Sequence, residues 1–154
     1  MSVAARLADL GIELPTVASP VAAYIPAKVH GDIVWTSGQL PFVSGALPAT
    51  GKVGDGHGLV PAADAQDMAR TAALNAIAAA ADAVGGVDRL TGVFKVTGFV
   101  ASDPTFTGQP GVINGASTVL GEIFGDAHSR SAVGVAALPL DAPVEVEVAF
   151  TFAA

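Results

Sequence analysis

Two stretches near the C-terminal end decide the fold: His128-Ser129-Arg130-Ser131-Ala132-Val133-Gly134-Val135 and Pro143-Val144-Glu145-Val146-Glu147-Val148-Ala149-Phe150-Thr151-Phe152. In the second stretch, large apolar side chains alternate strictly with polar or small ones, which is the two-residue period of a β-strand. The first stretch predicts a shorter strand, and residues 138–143 are few enough to join the two strands as a hairpin. We therefore expect Arg130 near a sheet end and Glu145 on the neighbouring strand, where they form either a salt bridge or a site for a small acid.

The segments upstream predict further strands separated by helices. The predicted elements are a short helix over 4–10, strands over 24–30 and 33–37, a glycine-rich loop over 38–61, a helix over 65–84, a strand over 90–100 and a helix over 109–124. Asp64 is the expected N-cap of the long helix, and three glycines weaken the last one. The order β-β-α-β-α-β-β predicts an α+β sandwich with both main helices on one sheet face and the other face open.

The composition indicates one domain that buries part of its surface against other copies. The chain has 154 residues, of which 51% are hydrophobic and 14% are charged. That length and apolar share suffice for one core. No uninterrupted apolar run approaches the roughly 18 residues that a membrane helix needs. Because soluble monomers rarely expose large apolar patches, we expect an oligomer with ligand sites in clefts between subunits.

Charge and residue content exclude several classes of function. Seven basic residues stand against fourteen acidic ones, without a basic cluster, so nucleic acid is a disfavoured partner. The chain has no cysteine, which excludes disulfides, zinc–thiolate sites and thiol catalysis. The three histidines, His30, His57 and His128, lack metal-ligand spacing, so no metal or other cofactor is expected. The N-terminal residues do not resemble a signal peptide, and the cytoplasm is the expected location.

Several separated motifs resemble those of one family. The segments Ser129-Arg130-Ser131, Leu138-Pro139 and Val144-Glu145-Val146-Glu147, together with Thr36-Ser37-Gly38-Gln39-Leu40-Pro41 and an upstream Tyr24, are similar to the Rid/YjgF family. These are the reactive-intermediate imine deaminases, once labelled endoribonuclease L-PSP. The motifs occur in the family's order, and context of this kind supports a motif match. The resemblance covers residues 21–152, and we accordingly divide the chain into an N-terminal extension, 1–20, and a single domain, 21–154.

The resemblance implies a chorismate-mutase-like fold and a homotrimer with three sites at the subunit interfaces. By position, Arg130 matches the arginine that grips the substrate carboxylate, and Glu145 matches the acid associated with the hydrolytic water. The supporting site positions of the family fall on Tyr24, Ser37 and Asn114. The chain departs from many members at Ala132 and Gly134, which stand where cysteine and glutamate are common.

The implied activity is hydrolysis of an enamine or imine derived from an amino acid, which yields a 2-keto acid and ammonia without a cofactor. A planar guanidinium suits a carboxylate, and Glu145 would act as general base. Three alternatives stay open: Arg130 and Glu145 simply pair across the sheet, the pocket binds a small carboxylate metabolite without catalysis, or the chain is a ribonuclease. The acidic composition disfavours the last of these.

Overall fold

The computed structural model describes residues 1–17 and 23–153, so the boundary expected at residue 20 lies outside the described residues. In chain order the elements are α1 (Val3–Asp9), β1 (Ala27–His30), β2 (Ile33–Thr36), α2 (Ala62–Val84), β3 (Leu90–Ala101), α3 (Gln109–Phe124), β4 (Ser129–Val135) and β5 (Val144–Phe152). Two short 3-10 turns, Val87–Arg89 and Pro139–Asp141, precede β3 and β5. The predicted order of strands and main helices and the α+β class are confirmed.

The five strands form one mixed sheet in the order β1-β2-β5-β3-β4. β4 runs parallel to β3, and the other neighbouring pairs are antiparallel. The predicted hairpin between the last two strands is therefore wrong, because β3 lies between β4 and β5. α3 carries the chain from the end of β3 back to the start of β4, which is the crossover that a parallel pair requires. β5 then inserts on the other side of β3 and pairs with both β3 and β2.

The core lies between β5, the central strand of the sheet, and the long helix α2. On β5, Val144, Val146, Val148 and Phe150 are fully buried, as their alternation predicts. Helix α2 packs against β5 mainly through alanines, and α3 packs against α2 and β3. Small side chains allow these layers to approach closely, and Gly98 on β3 leaves the space that Ile113 of α3 fills.

The start of α2 differs from the sequence-based expectation, and the packing of α3 explains one of its glycines. α2 begins at Ala62, its N-cap is Pro61 without a side-chain hydrogen bond, and Asp64 lies in the first turn. Asp64 is therefore not the cap, although a carboxylate there still interacts favourably with the helix dipole. In α3, an added Cβ at Gly115 would lie 1.9 Å from the carbonyl oxygen of Gln66 on α2. That glycine is thus required by the contact between the two helices.

The loop between β2 and α2 is held against the rest of the domain by several hydrogen bonds, among them those made by Asn75 and Val53. Asn75 of α2 donates from Nδ2 to the carbonyl oxygens of Leu40 and Phe42, at 3.0 and 3.2 Å. Val53 is fully buried, and its amide donates to the carbonyl of Ala101. The loop therefore packs along the end of β3.

None of the described helices covers the sheet face opposite α2 and α3. Trp35 is 51% exposed and Val133 is 44% exposed on this face. Glu145 and Glu147 share the face with them, since the register places Phe99 between Val133 and Glu145. We call this surface the open face. No helix among the described residues has the length and apolar character needed to cross a membrane.

Candidate functional site

Arg130 lies on the edge strand β4 and points toward α3. It is paired with Val96 of β3, which in turn is paired with the buried Val148 of β5, so all three side chains project from the helix face. Arg130 Nη1 donates to Asn114 Oδ1 at 2.7 Å and to Ser117 Oγ at 3.3 Å. Asn114 and Ser117 are one turn apart on α3, so their side chains lie on the same surface of the helix. The structure thus brings Arg130 and Asn114 into contact.

These two hydrogen bonds use both protons of Nη1. The other edge of the guanidinium, formed by Nε and Nη2, is therefore free of these contacts. Arginine has five N–H donors in a planar fork. Among the described residues, no acceptor is bonded to the Nε–H or to either Nη2–H of Arg130. The Nε and Nη2 protons point in parallel, which is the geometry that binds a carboxylate with two hydrogen bonds.

His128 and Ser117 extend this cluster. His128 Nε2 lies 3.0 Å from Ser117 Oγ, and Nδ1 is buried without a hydrogen-bond partner in the described chain. Burial and the nearby Arg130 lower the pKa of His128, and Asp126 opposes them. The sequence pattern predicted no site role for His128 or Ser117. The available signal was the two-residue spacing of His128 and Arg130, which puts both on one face of a strand.

Glu145 occupies a notch on the open face. An added Cβ at Gly38 would lie 1.8 Å from Glu145 Oε1, so the glutamate side chain fills the space that the glycine leaves. Burial first, and then the nearby Glu147 carboxylate, raise the pKa of Glu145. A half-buried carboxyl with a raised pKa is suited to proton transfer nearer neutral pH than an ordinary glutamate.

The notch is formed by a β-bulge at the end of β2. Between the bridges Trp35↔Ala149 and Gln39↔Val146, the end of β2 and the segment after it contribute residues 36–38, whereas β5 contributes only residues 147 and 148. Bulges of this kind redirect side chains and are frequent beside functional sites. Ser37 lies in the bulge and donates from Oγ to the carbonyl oxygen of Ile25 at 2.7 Å. It thereby fixes the segment that carries Tyr24, whose side chain is 56% exposed.

The expected residues therefore form two separate groups in one chain. Arg130 and Asn114 lie on the helix face at β4, and Ser37 and Glu145 lie together at the β2–β5 bulge, with Tyr24 on the adjoining segment. On β3, the partners of Arg130 and Glu145 are Val96 and Phe99, three positions apart and on opposite faces. From strand dimensions the two Cα atoms are roughly 14 Å apart. The interpretation as a cross-sheet ion pair within one chain is wrong.

Gly134, one of the two positions that depart from the family pattern, has a local structural reason to be glycine. An added Cβ there would lie 2.7 Å from Gln109 Nε2. That amide donates to Ser102 Oγ and to the carbonyl of Phe106, at 3.1 and 2.8 Å. A side chain at residue 134 would therefore require the Gln109 amide to shift. Within residues 1–17 and 23–153, acidic and histidine side chains form no group of three or more that could hold a metal ion.

Comparison with known proteins identifies the family. Residues 4–152 match the family described as "YjgF/chorismate_mutase-like, putative endoribonuclease". Protein TCP17 of Trypanosoma cruzi is 41% identical over an alignment of 150 positions, and the match covers 94% of this chain and 91% of that protein. Protein Atu1372 of Agrobacterium tumefaciens has a crystal structure with 38% identity and a TM-score of 0.88, covering 98% of this chain and 92% of that one.

A more distant structure carries a ligand. The crystal structure of E. coli TdcF with bound serine is 26% identical, with a TM-score of 0.64, and covers 89% of this chain and 94% of that one. The sheet order, the motifs and these matches agree with one another. This chain is a member of the YjgF/chorismate-mutase-like family.

Proposed function

We propose that this chain forms a homotrimer that hydrolyses enamine or imine intermediates derived from amino acids to 2-keto acids and ammonia. The observation that carries the proposal is the geometry of Arg130, which Asn114 and Ser117 hold through Nη1, while its Nε/Nη2 edge bonds to none of the described residues. A guanidinium fixed on one side and open on the other is a preorganised receptor for a carboxylate. Every substrate of the proposed class carries a carboxylate beside the reacting carbon.

A second copy of the chain would complete the site. Arg130 is on an edge strand, whereas Glu145 is on the open face, which also exposes Trp35 and Val133. Packing the open face against another subunit buries these apolar side chains, as oligomers commonly do. The Ser37–Glu145 group of one subunit then meets the Arg130–Asn114 group of the next. Closed threefold symmetry repeats this contact three times.

The chemistry assigned to Glu145 follows from its raised pKa. As the carboxylate, Glu145 takes a proton from a water molecule while the water oxygen bonds to the imine carbon, which gives a carbinolamine. The same carboxyl returns that proton to nitrogen, which completes the carbinolamine, and then carries the proton of the new hydroxyl group to nitrogen. As the carbonyl forms, the carbon–nitrogen bond breaks and the keto acid and ammonia leave, with Glu145 again a carboxylate. A base works best when its pKa lies near the operating pH, so burial and the repulsion by Glu147 favour this role.

The ligand of a relative is consistent with this substrate class. E. coli TdcF has been solved with bound serine, and serine is an amino acid with a carboxylate on the carbon that bears its nitrogen. An imine formed from such an amino acid presents the same carboxylate to Arg130. We therefore assign 2-aminoacrylate and 2-iminobutanoate as the substrates to be tested first.

The test compares keto-acid release by the wild type, Arg130→Ala and Arg70→Ala. The imine is generated in situ by a dehydratase, and the oligomeric state of each protein is measured by analytical ultracentrifugation. Arg70 is an exposed arginine on α2 and serves as the matched control. Loss of two charge-assisted hydrogen bonds is expected to lower kcat/KM of Arg130→Ala by roughly 10²- to 10³-fold. Arg70→Ala is expected to match the wild type.

A second candidate is supported by the same arginine. A pocket that only binds a carboxylate metabolite needs the Nε/Nη2 edge of Arg130 but not the raised pKa of Glu145. It would give saturable binding of 2-oxobutanoate, abolished in Arg130→Ala, without acceleration of imine hydrolysis. Ribonuclease activity has less support, because the net charge of -7 opposes binding to a phosphate backbone.

A further inference from the structure

The contacts around Ser117 point to two positioning residues that the family motifs do not include. Ser117 Oγ lies within hydrogen-bond distance of both Arg130 Nη1, at 3.3 Å, and His128 Nε2, at 3.0 Å. A hydroxyl has one proton and two lone pairs, whereas the guanidinium can only donate. Arg130 therefore occupies a lone pair of Ser117 and requires the hydroxyl proton to point elsewhere.

The surroundings of His128 indicate where that proton goes. Nδ1 is buried and has no partner among the described residues, so a charged imidazolium would bury an N–H⁺ without an acceptor beside the Arg130 cation. Burial beside a cation therefore favours the neutral ring. A neutral ring that carries its proton on Nδ1 leaves Nε2 as an acceptor aimed at the Ser117 hydroxyl.

We propose that Ser117 and His128 position the Arg130 anchor: the imidazole holds the hydroxyl proton of Ser117, so the oxygen presents a lone pair to Nη1. Asn114 fixes the second proton of Nη1 at 2.7 Å. Two acceptors on one nitrogen set the plane of the guanidinium and turn its Nε/Nη2 edge toward the ligand. This inference rests on the proposed function, since the anchored ligand is its carboxylate substrate.

The first experiment measures ligand binding and kinetics in Ser117→Ala, His128→Leu and His128→Gln, with Thr118→Ala as control. Thr118 is the next residue on α3 and is exposed. Ser117→Ala is expected to raise both KM for the imine and Kd for 2-oxobutanoate about tenfold, with kcat within about threefold, because one hydrogen bond to a charged group is lost. His128→Leu is expected to shift both in the same direction. In His128→Gln an amide oxygen can replace Nε2 as the acceptor, so most of the binding should return.

The second experiment reads the tautomer directly in the assembled protein. Long-range ¹H–¹⁵N spectra of histidine-labelled protein at pH 7.5 are expected to show His128 neutral, with its proton on Nδ1. Arginine side-chain spectra are expected to show slower rotation of the Arg130 guanidinium in the wild type than in Ser117→Ala. Neither readout depends on turnover.

The outcomes separate this inference from the proposed function. Unchanged KM and Kd in Ser117→Ala, a fall in kcat alone, or a proton on Nε2 of His128 would each overturn the positioning role. A wild type without imine turnover would overturn the deaminase proposal but leave the binding and spectroscopic tests in force. If 2-oxobutanoate binding is also absent, the tautomer of His128 and the rotation rate of the Arg130 guanidinium still test the positioning role. Circular dichroism and ultracentrifugation show whether each variant is folded and assembled.

Discussion

The contact between α2 and α3 at Gly115 makes a quantitative prediction about stability. An added Cβ would lie 1.9 Å from the carbonyl oxygen of Gln66, whereas ordinary contacts begin at 3.4 Å, so the helices must separate by about 1.5 Å. Overpacking costs about 1–3 kcal/mol, and the upper end applies because a helical carbonyl cannot turn away. Alanine returns about 1 kcal/mol of helix propensity. We expect Gly115→Ala to lower the free energy of unfolding by about 2 kcal/mol.

A glycine in the same helix supplies the control. Beyond the neighbouring residues of its own helix, no atom of the described residues lies within 4 Å of an added Cβ at Gly121, so Gly121→Ala gains helix propensity without a clash. Calorimetry at one protein concentration is expected to show Tm lowered by roughly 4–8 °C for Gly115→Ala and raised by roughly 2–4 °C for Gly121→Ala. Equal increases in Tm for the two variants would refute the argument, since propensity alone would then explain both.

Three further sets of substitutions are expected to change activity or stability in a stated direction. Gly38→Ala is expected to lower kcat/KM about a hundredfold, because the added Cβ displaces the Glu145 carboxylate by about 1 Å or more; an unchanged steady-state rate would contradict this. Glu145→Gln is expected to gain stability relative to the wild type as the pH rises from 4 to 7. The folded pKa of Glu145 lies above its ordinary value of 4.5, so the folded wild type binds more protons and loses stability as pH rises through that window. Urea titrations at several pH values measure this difference, and a constant offset would argue against it. Replacing Leu140 by Asn and Asp141 by Gly is expected to stabilise the chain by about 1–2 kcal/mol, because both residues are left-handed, with φ of 58° and 57°; a lower Tm would count against strain there.

The strands and main helices were predictable from the sequence because their patterns reflect burial. β5 alternates since one of its faces lies in the core, and α2 is rich in alanine since it packs closely on the sheet. The pairing of the strands was not predictable in the same way. The short segment between β4 and β5 favours a hairpin by local rules, whereas α3 and the unpaired edge of β3 determine where β4 goes.

The candidate site was predictable only in part for a related reason. The family motifs single out Arg130 and Glu145 but say nothing about their separation across the sheet. Ser117 and His128 are eleven residues apart in sequence, and their contact exists only because α3 packs beside β4. The bulge at Ser37 depends on the register between β2 and β5. The local sequence of β2 does not specify that register. The homotrimer stays a prediction.

The placement of Arg130 and Glu145 on opposite faces of one sheet has a genetic consequence. If each site takes its arginine from one subunit and its glutamate from the next, Arg130→Ala and Glu145→Gln chains carry complementary defects. Mixed trimers from equal amounts of the two inactive chains would contain roughly a quarter of their sites intact. The two alleles should therefore complement each other within one gene, and the activity recovered on mixing would count the intact contacts between subunits.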